Sequence, residues 1–415
     1  MKKMILLLAL ILSPMMIWAA DIKAPFTLPS ARVLPKGVRN LSFKTVLAEA
    51  SEKYNNSSSQ VSVADPFFKN ITYKDMIMGK RDPVDKAGII SVMDTVGANQ
   101  DDKFAQTIGQ VNIKATAYVP VLAWGISKKA TLAVAVPVVQ YSTNVDTGVV
   151  YTDPTQYNKF LEELEKRGAG LKSSEFMNKM NAPIVSKLQE YNYEPLSNEQ
   201  GSALGDIKVV AKQKVFENDL NLLAIQTELT LPTGRKGSIN KVINVTGGDG
   251  QTDLGAGFIH DLSINEHLTL SSQAIYTIQF ADKEAMRIPE RQDSKLTPDI
   301  DNNTDRDLGD SVIAQTGLKL NYSGFNLGTG YSLQYKDQDA YEGTVYESEH
   351  YSWLSQDTRQ RMQGVQFVAG YDTIEAYKKG QFKAPLSILF NYTVVVEGKN
   401  VVKDPVASVD FNLFF

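Results

Sequence analysis

Apolar and polar residues alternate along most of this chain with a period of two. That is the pattern of strands with one oily face and one wet face. In the segment 267–281, Leu268, Leu270, Ala274, Tyr276, Ile278 and Phe280 share one side, and Thr269, Ser271, Gln273, Thr277 and Gln279 share the other. In 325–337, Phe325, Leu327, Tyr331, Leu333 and Tyr335 oppose Asn326, Ser332, Gln334 and Lys336. Twelve such segments are predicted: 38–53, 107–123, 130–143, 204–216, 221–232, 251–262, 267–281, 309–322, 325–337, 361–376, 381–396 and 404–415. In the last of them Val409, Phe411, Leu413 and Phe415 alternate with Ser408, Asp410 and Asn412.

The connections between these segments sharpen the picture. ISKK, ENDL, SINE, NYSG and YKKG are short, whereas those after residues 54, 143, 232, 281 and 338 are long, with a shorter one at GKN. Membrane barrels combine short periplasmic turns with longer outer loops, and a tilted strand of about 9–11 residues crosses the bilayer. A soluble sandwich has no reason to alternate loop lengths, and it would leave the apolar face of 267–281 in water. The predicted fold is therefore all-β: a transmembrane antiparallel up-and-down β-barrel of about 12 strands, with both termini in the periplasm and helical extracellular loops.

Two loops carry helical patterns. In loop 144–203, Asp153 is placed to cap a helix with Pro154 at its first position, and Tyr157, Phe160, Leu161 and Leu164 recur at helical spacing. Ser173 or Ser174 caps a second helix carrying Phe176, Met177 and Met180. In loop 54–106 the run PVDKAGIISVMDTV is a further helical candidate. Two readings stand for these apolar residues. Either they pack the loops onto themselves and the barrel rim, or they form a groove where a hydrophobic ligand first lands, for which Met side chains are well suited.

Composition adds an address. Lys2 and Lys3, the apolar run to Ile17, and Ala19 and Ala20 read as a signal peptide over 1–20, cleaved after Ala19 or Ala20. Residues 21–36 then form a short periplasmic segment or small plug, and 37–415 the barrel, in the bacterial outer membrane. With Lys2 and Lys3 removed, 41 basic residues face 47 acidic ones, a charge of −6 with no polybasic face for nucleic acid. The absence of cysteine removes disulfides, thiolate metal sites and thiol nucleophiles. The last strand, ending at Phe415, is expected to engage the barrel-assembly machinery, and the barrel to sit among outer-membrane lipid and lipopolysaccharide.

Candidate chemistry is sparse. Strand 130–143 is apolar on both faces, with Ala133, Ala135, Pro137 and Val139 along one of them. Pro137 removes a ladder hydrogen bond from a sheet without free edges. This is either a tolerated bulge or an opening through which a hydrophobic solute leaves the lumen sideways. By alternation, Lys114, Lys208, Lys212, Lys214, Glu228 and Asp253 point into the lumen. They form internal ion pairs, or Lys208, Lys212 and Lys214 steer an anionic substrate. Asp299, Asp301, Asn303, Asp305, Asp307 and Asp310 follow the oxygen-ligand spacing of a Ca²⁺ loop. Against that reading, Thr304 stands where glycine is needed, and a solvated acidic loop is the alternative; no other cofactor is indicated. His260, His267 and His350 are not placed by sequence near a nucleophile, and Gly-x-Ser-x-Gly is missing, so an enzyme is not expected.

The segments YVPVLAWGISKKATLAVAVPVV, LGDIKVVAKQKVF, LTLPTGRKG and GGDGQTDLGAGF resemble the outer-membrane proteins associated with the phenol meta-cleavage pathway, relatives of the FadL long-chain fatty-acid channels. The resemblance runs from about Ala31 to Phe415, and its most specific part is Pro232–Gly234 with Gly248–Asp253. It implies passive uptake of small hydrophobic, often aromatic compounds, a structural role for those two motifs in the loop between strands 5 and 6, and a lateral opening near Pro137. The chain departs from the FadL pattern in the short segment ahead of strand 1, where FadL channels carry a long hatch. The alternative functions are a general or weakly anion-selective porin for polar solutes and, third, a structural or adhesive barrel.

Overall fold

The computed structural model describes residues 28–65, 70–78, 83–167, 188–292, 294 and 296–415. The expected signal peptide and the second helix of loop 144–203, with Phe176, Met177 and Met180, lie outside them. Among the described residues, twelve antiparallel strands close into a barrel. They are β1 (Arg39–Ala50), β2 (Lys103–Ser127), β3 (Ala130–Ala135 and Val138–Tyr151), β4 (Glu199–Leu204 and Ile207–Glu217), β5 (Asn221–Leu231) and β6 (Asp253–Ser263). They continue with β7 (Leu268–Gln279), β8 (Ser311–Tyr322), β9 (Phe325–Lys336), β10 (Gln360–Asp372), β11 (Leu386–Lys399) and β12 (Val406–Phe414).

The alternation decides the faces. On β7, Leu270, Tyr276 and Ile278 are exposed on the outer surface, while Thr269, Ser271, Thr277 and Gln279 are buried inside. Trp124, Phe216, Tyr322, Phe325, Tyr371 and Phe415 lie exposed near the periplasmic ends of their strands, an aromatic girdle at one membrane interface. β12 pairs with β1 from Asn40↔Phe414 to Ala48↔Val406. Reciprocal backbone bonds between Arg39 and Phe415, 2.7 and 3.0 Å, finish that seam, so the terminal phenylalanine completes the closure.

Short turns fall at 128–129, 218–220, 264–267 and 323–324, as the loop rhythm predicts. Ser323 and Gly324 both have positive φ, 51° and 84°, the pairing that a tight two-residue hairpin needs. The turn expected at YKKG is longer. β10 stops at Asp372 and β11 starts at Leu386, and a short helix, Ile374–Lys378, fills the space between them.

The outer loops are structured. Asp153 accepts a hydrogen bond from Gln156 N at 3.0 Å and opens helix Pro154–Lys166. The helix predicted at PVDKAGIISVMDTV spans Pro83–Val96. Both pack with Tyr73 and Phe104 into one core, in which Phe160, Leu161 and Leu164 are buried. Those three side chains therefore form the interior of a helical cap instead of an exposed landing groove. A second outer layer is a sheet of 282–287, 300–307 and 340–342. Arg287 clamps three loops beneath it: it donates to Ile239 O and Thr297 O, both at 2.7 Å, and stacks over Tyr193 at 3.8 Å.

Segment 300–307 corrects the calcium expectation. It is a strand, so candidates two residues apart stand in a line roughly 6–7 Å apart instead of curling around a centre, and a bulge between Asp301 and Thr304 buries Asp301 while Asn303, Asp305 and Asp307 stay exposed. Asp301 accepts the Tyr351 hydroxyl at 2.5 Å, Asp305 pairs with Lys283, and Asp310 accepts Gln279 N at 3.0 Å. Asp299 and Asn303 lie near Asp301 along the chain, but Asp307 is exposed on the far side, and no acidic or His cluster among the described residues could hold a metal.

Candidate functional site

The lumen has two unlike walls. On β1 to β4 many inward positions are small and apolar, Val46 and Ala50, then Ala115, Ala117 and Val119, then Val139, then Ala203, with Lys44, Thr131, Lys208 and Lys212 as the polar ones on the same face. Ala133, Ala135 and Pro137 share the inward face of β3 with Val139 and Tyr141. Across the lumen the wall is amide- and hydroxyl-lined. Gln273 donates to Gln315 at 3.1 Å, Gln315 to Gln366 at 2.8 Å, and Asn391 to Ser408 at 3.3 Å. Gln315 and Gln366 belong to β8 and β10 and meet because Gly330 of the intervening β9, opposite Gln366, has no side chain to part them. Lys44 and Asp410 pair at 2.9 Å across the β1–β12 seam. These polar groups are shut away from water: Gln366 is 0 % exposed, Gln315 4 %, Asp410 6 % and Lys44 9 %.

Material from both ends fills the rest. From outside, Val63 and Ala64 of the first loop and Ile243 and Val245 of the β5–β6 loop pack onto Val111, Ile113, Val139 and Ala203. A cavity of about 160 Å³ lies over this cluster; its lining is mainly polar, with Thr143, Glu194, Ser197, Glu199 and Lys241 beside Val145, Leu196 and Ile243. From the periplasmic side, residues 28–38 enter beside β2, where Gly37 N donates to Gly125 O at 2.8 Å. They then cross the lumen. Leu34 N donates to Thr131 Oγ1 at 2.7 Å, Lys212 holds Ser30 O at 2.7 Å, Asp261 accepts Ala31 N at 3.1 Å, and Lys319 holds Pro29 O at 2.9 Å. Leu28, the first described residue, lies against Gly317, Gly328 and Gly330, where any β-carbon would come within 2.5 Å of its methyl groups. β2 and β8 are half a ring apart, so this strap spans a diameter.

The lumen charges that alternation suggested are thus engaged. Lys208 faces Glu228 at 3.8 Å, Lys212 holds the strap, Lys214 pairs with Glu217 near the periplasmic turn, and Asp253 is buried. Lys114 is a correction. It lies on the outer face of β2 beside Glu49 at 3.7 Å, because the inward positions of β2 are the apolar ones. Tyr141 also points inward and is buried.

The wall itself is weakened at one level. Pro137 sits opposite Gly205, and Gly205 N donates to Pro137 O at 2.9 Å. The reciprocal bond is missing because proline has no N–H; Gly205 O instead accepts the Thr233 hydroxyl at 3.1 Å. One ladder away, Val136 N donates to Pro120 O at 3.1 Å, and Pro120 in turn has nothing to donate. Two successive ladders therefore each lose one bond side by side, and both β3 and β4 are interrupted there. The conspicuous glycine motifs converge on this seam. Thr233 belongs to Pro232–Gly234, Gly234 N donates to Asp206 Oδ1 at 2.7 Å, and Gly248 lies against the same carboxylate. Sequence reasoning missed Pro120, Gly205, Thr233 and the strap anchor Asp261. The signal for the first was the repeated Val-Pro in YVPVL and AVPVV.

Outside the membrane, one ionic cluster carries a pH dependence. Arg306, 1 % exposed, donates to Asp282 at 2.8 and 2.9 Å, and Gln251 donates to the same carboxylate at 2.8 Å. Burial alone would raise the Asp282 carboxyl; these bonds outweigh it and hold the group below its ordinary 3.8. A lowered carboxyl contributes stability that is present above the unfolded value and lost as pH falls through the folded one. Amides of 282–287 and 300–307 are thus expected to resist hydrogen exchange down to about pH 4 and to lose protection below it. Asp282→Asn should lower protection at neutral pH and flatten that dependence; an unchanged profile would count against the cluster.

No family model matches the chain, and no curated protein does. Among solved structures, an outer membrane channel from Pseudomonas putida F1 superposes with a TM-score of 0.51 at 11% identity, covering 94% of this chain and all (100%) of that one. The CymD monoaromatic hydrocarbon channel gives a TM-score of 0.36 at 8% identity over 92% of this chain and 89% of its own. The P. putida toluene transporter TodX gives 0.32 at 10% over 92% and 90%. The first of these likenesses extends over the whole barrel: the chain has the fold of an outer-membrane β-barrel channel.

Proposed function

We propose that the protein is a passive outer-membrane channel for small hydrophobic compounds, aromatic hydrocarbons or fatty-acid-like molecules. The observation that carries this reading is the contrast between lumen and wall. A porin for polar solutes needs its lumen side chains in water. Here Gln315, Gln366, Asn391 and the Lys44–Asp410 pair are under 10 % exposed, and the strap crosses beneath them. Among the described residues these groups offer little exposed surface to a polar solute. An apolar one has a run of small aliphatic groups from the outer cavity past Val139 to the Pro120–Pro137–Gly205 seam. The outer cavity, about 160 Å³, is of the size that takes a single aromatic ring. Solute then leaves sideways into the bilayer without crossing the strap. The motifs that resemble the phenol meta-cleavage proteins sit at that seam, which supports the same substrate class.

The test is uptake of a panel of aromatics and fatty acids by a deletion strain, with and without the gene restored, paired with planar-bilayer recording. Restored uptake with electrical silence is the expected result. Steady open channels without hydrophobic uptake would establish the porin instead.

A further inference from the structure

The outer surface carries a basic recess that the transport path does not use. It lies where β9, β10 and β11 leave the apolar band. Tyr335, Arg361 and Lys399 are direct cross-strand neighbours in one rung, Arg361 pairing in register with both of the others. All three lie on the outward face. Below them on the same face, Tyr331, Leu333, Phe367, Tyr392 and Val396 are exposed. The rung therefore stands at the upper edge of the surface that meets lipid tails.

Two cations side by side in one rung repel and destabilise a sheet unless something offsets them. The protein's own carboxylates do so only in part. Glu397 is bound to Arg361 and to Gln363, and Asp337 pairs with Arg359 at 3.1 Å. Among the described residues, no carboxylate lies within ion-pair distance of Lys399. Three cations thus face two anions around a recess of about 380 Å³. Its roof is the hairpin tip with Asn56, Ser57 and Ser58. That tip is preorganised: Asn55 Oδ1 accepts Ser57 N and Ser59 N at 2.9 and 3.0 Å. Asn400 ties it to the strand below, donating to Asn56 Oδ1 at 3.4 Å and to Arg359 O at 2.9 Å. Guanidinium, ammonium and hydroxyl donors converging on one recess suit a phosphate monoester, with Arg supplying the forked contact.

We propose that Arg361 and Lys399, with Arg359 and the Ser57 and Ser58 hydroxyls, bind the phosphate groups of the phosphorylated glycolipid that forms the outer leaflet. The apolar band beneath decides between this occupant and free phosphate. An anion alone uses only the recess, whereas a glycolipid lays its acyl chains along Val396, Tyr392 and Phe367 while its phosphate reaches the rung. The site is independent of what the barrel transports.

The test titrates the full-length protein in detergent with purified lipopolysaccharide, with the same material after enzymatic dephosphorylation, and with inorganic phosphate. Each cation near a charged lipid surface contributes about 1 kcal/mol, so R361Q/K399Q should weaken lipopolysaccharide binding roughly 25-fold. The charge-conserving R361K/K399R should recover most of it. K378Q/K379Q, at the periplasmic end, should bind as the parent does. Dephosphorylated glycolipid should bind the parent at least tenfold more weakly. Equal binding by the R361Q/K399Q protein, or indifference to phosphate removal, overturns the site. Inorganic phosphate competing as well as the glycolipid, at matched phosphate concentration, overturns the lipid assignment. Should the double variant fail to fold on a heat-modifiability gel, the dephosphorylation arm decides alone.

Discussion

A cysteine placed at Ala31 is expected to be protected from a water-soluble maleimide in the parent barrel and to label roughly several hundredfold faster once Asp261 is replaced by alanine. The chain has no cysteine of its own, so the reporter is unambiguous. Ala31 is 0 % exposed and packs on Ala224 and Ile259. Asp261 is the strap's main anchor. It accepts the Ala31 amide at 3.1 Å, the Ser30 hydroxyl at 3.3 Å and the Ser271 hydroxyl at 2.6 Å, with Lys319 3.6 Å away. Removing one side of such a buried cluster costs about 3–5 kcal/mol, because the remaining charge and amide are left without partners. A smaller increase is expected from Gly330→Val, which acts at the other end by filling the place of the Leu28 methyl groups. Labelling that stays at the parent rate in both variants would mean that the strap is held by something other than these contacts. Electrical silence should persist in both, because the loop residues Val63, Ala64, Ile243 and Val245 still pack onto Val111, Ile113, Val139 and Ala203 in the mouth; steady conduction by Asp261→Ala would make the strap itself the seal.

The architecture was legible because the physics that produced it is periodic. A strand with lipid on one side and the lumen on the other writes its face assignment every second residue, and the last strand writes it down to Phe415. The same rule misled at β2. The upper part of that strand stands above the bilayer, where its outer positions meet water and its inner positions meet the loops packed into the mouth. Polarity is therefore inverted there: Asn112 and Lys114 face out beside Glu49, and Val111 and Ile113 face in. Spacing without periodicity was the weaker guide. Asp299 to Asp307 matched a calcium loop in one dimension, but an extended strand sets successive candidates roughly 6–7 Å apart in a line, and its bulge turns Asp301 away from Asp305 and Asp307. The path of the strap, expected only as a short periplasmic segment or small plug, was hidden for a different reason. Leu28, Pro29 and Ser30 form no regular element, and their partners lie some 180 to 290 positions away, at Lys212, Asp261 and Lys319. The seam was half visible: Pro137 announced itself by its place in an apolar strand, whereas Thr233 could be recognised only after Gly205 was known to lack a donor.

Replacing Pro137 by valine should lower hydrophobic uptake about tenfold while leaving barrel assembly intact, and adding Pro120→Val should lower it further. Valine restores the N–H that proline lacks and presents it to Gly205 O, completing the pair that is now half made. Valine also suits a strand better than proline, so the change should not cost stability. In a wall facing lipid, each ladder bond is worth more than its net contribution of about 0.5–1.5 kcal/mol in water, since no solvent competes for the groups. Two restored bonds make opening at this level rarer by one to two powers of ten, roughly. Thr233→Val provides the opposite perturbation. It strips the hydroxyl from Gly205 O, now 3.1 Å away, and leaves a carbonyl unsatisfied in the wall. That variant should loosen the seam, preserve or raise uptake, and lower the temperature at which the barrel loses its compact mobility on a gel. If uptake by Pro137→Val matches the parent at equal surface levels, solute does not leave through this seam. If Thr233→Val and Pro137→Val move uptake in opposite directions, the weakness lies where the two broken ladders meet, and strengthening it from either side should narrow the route.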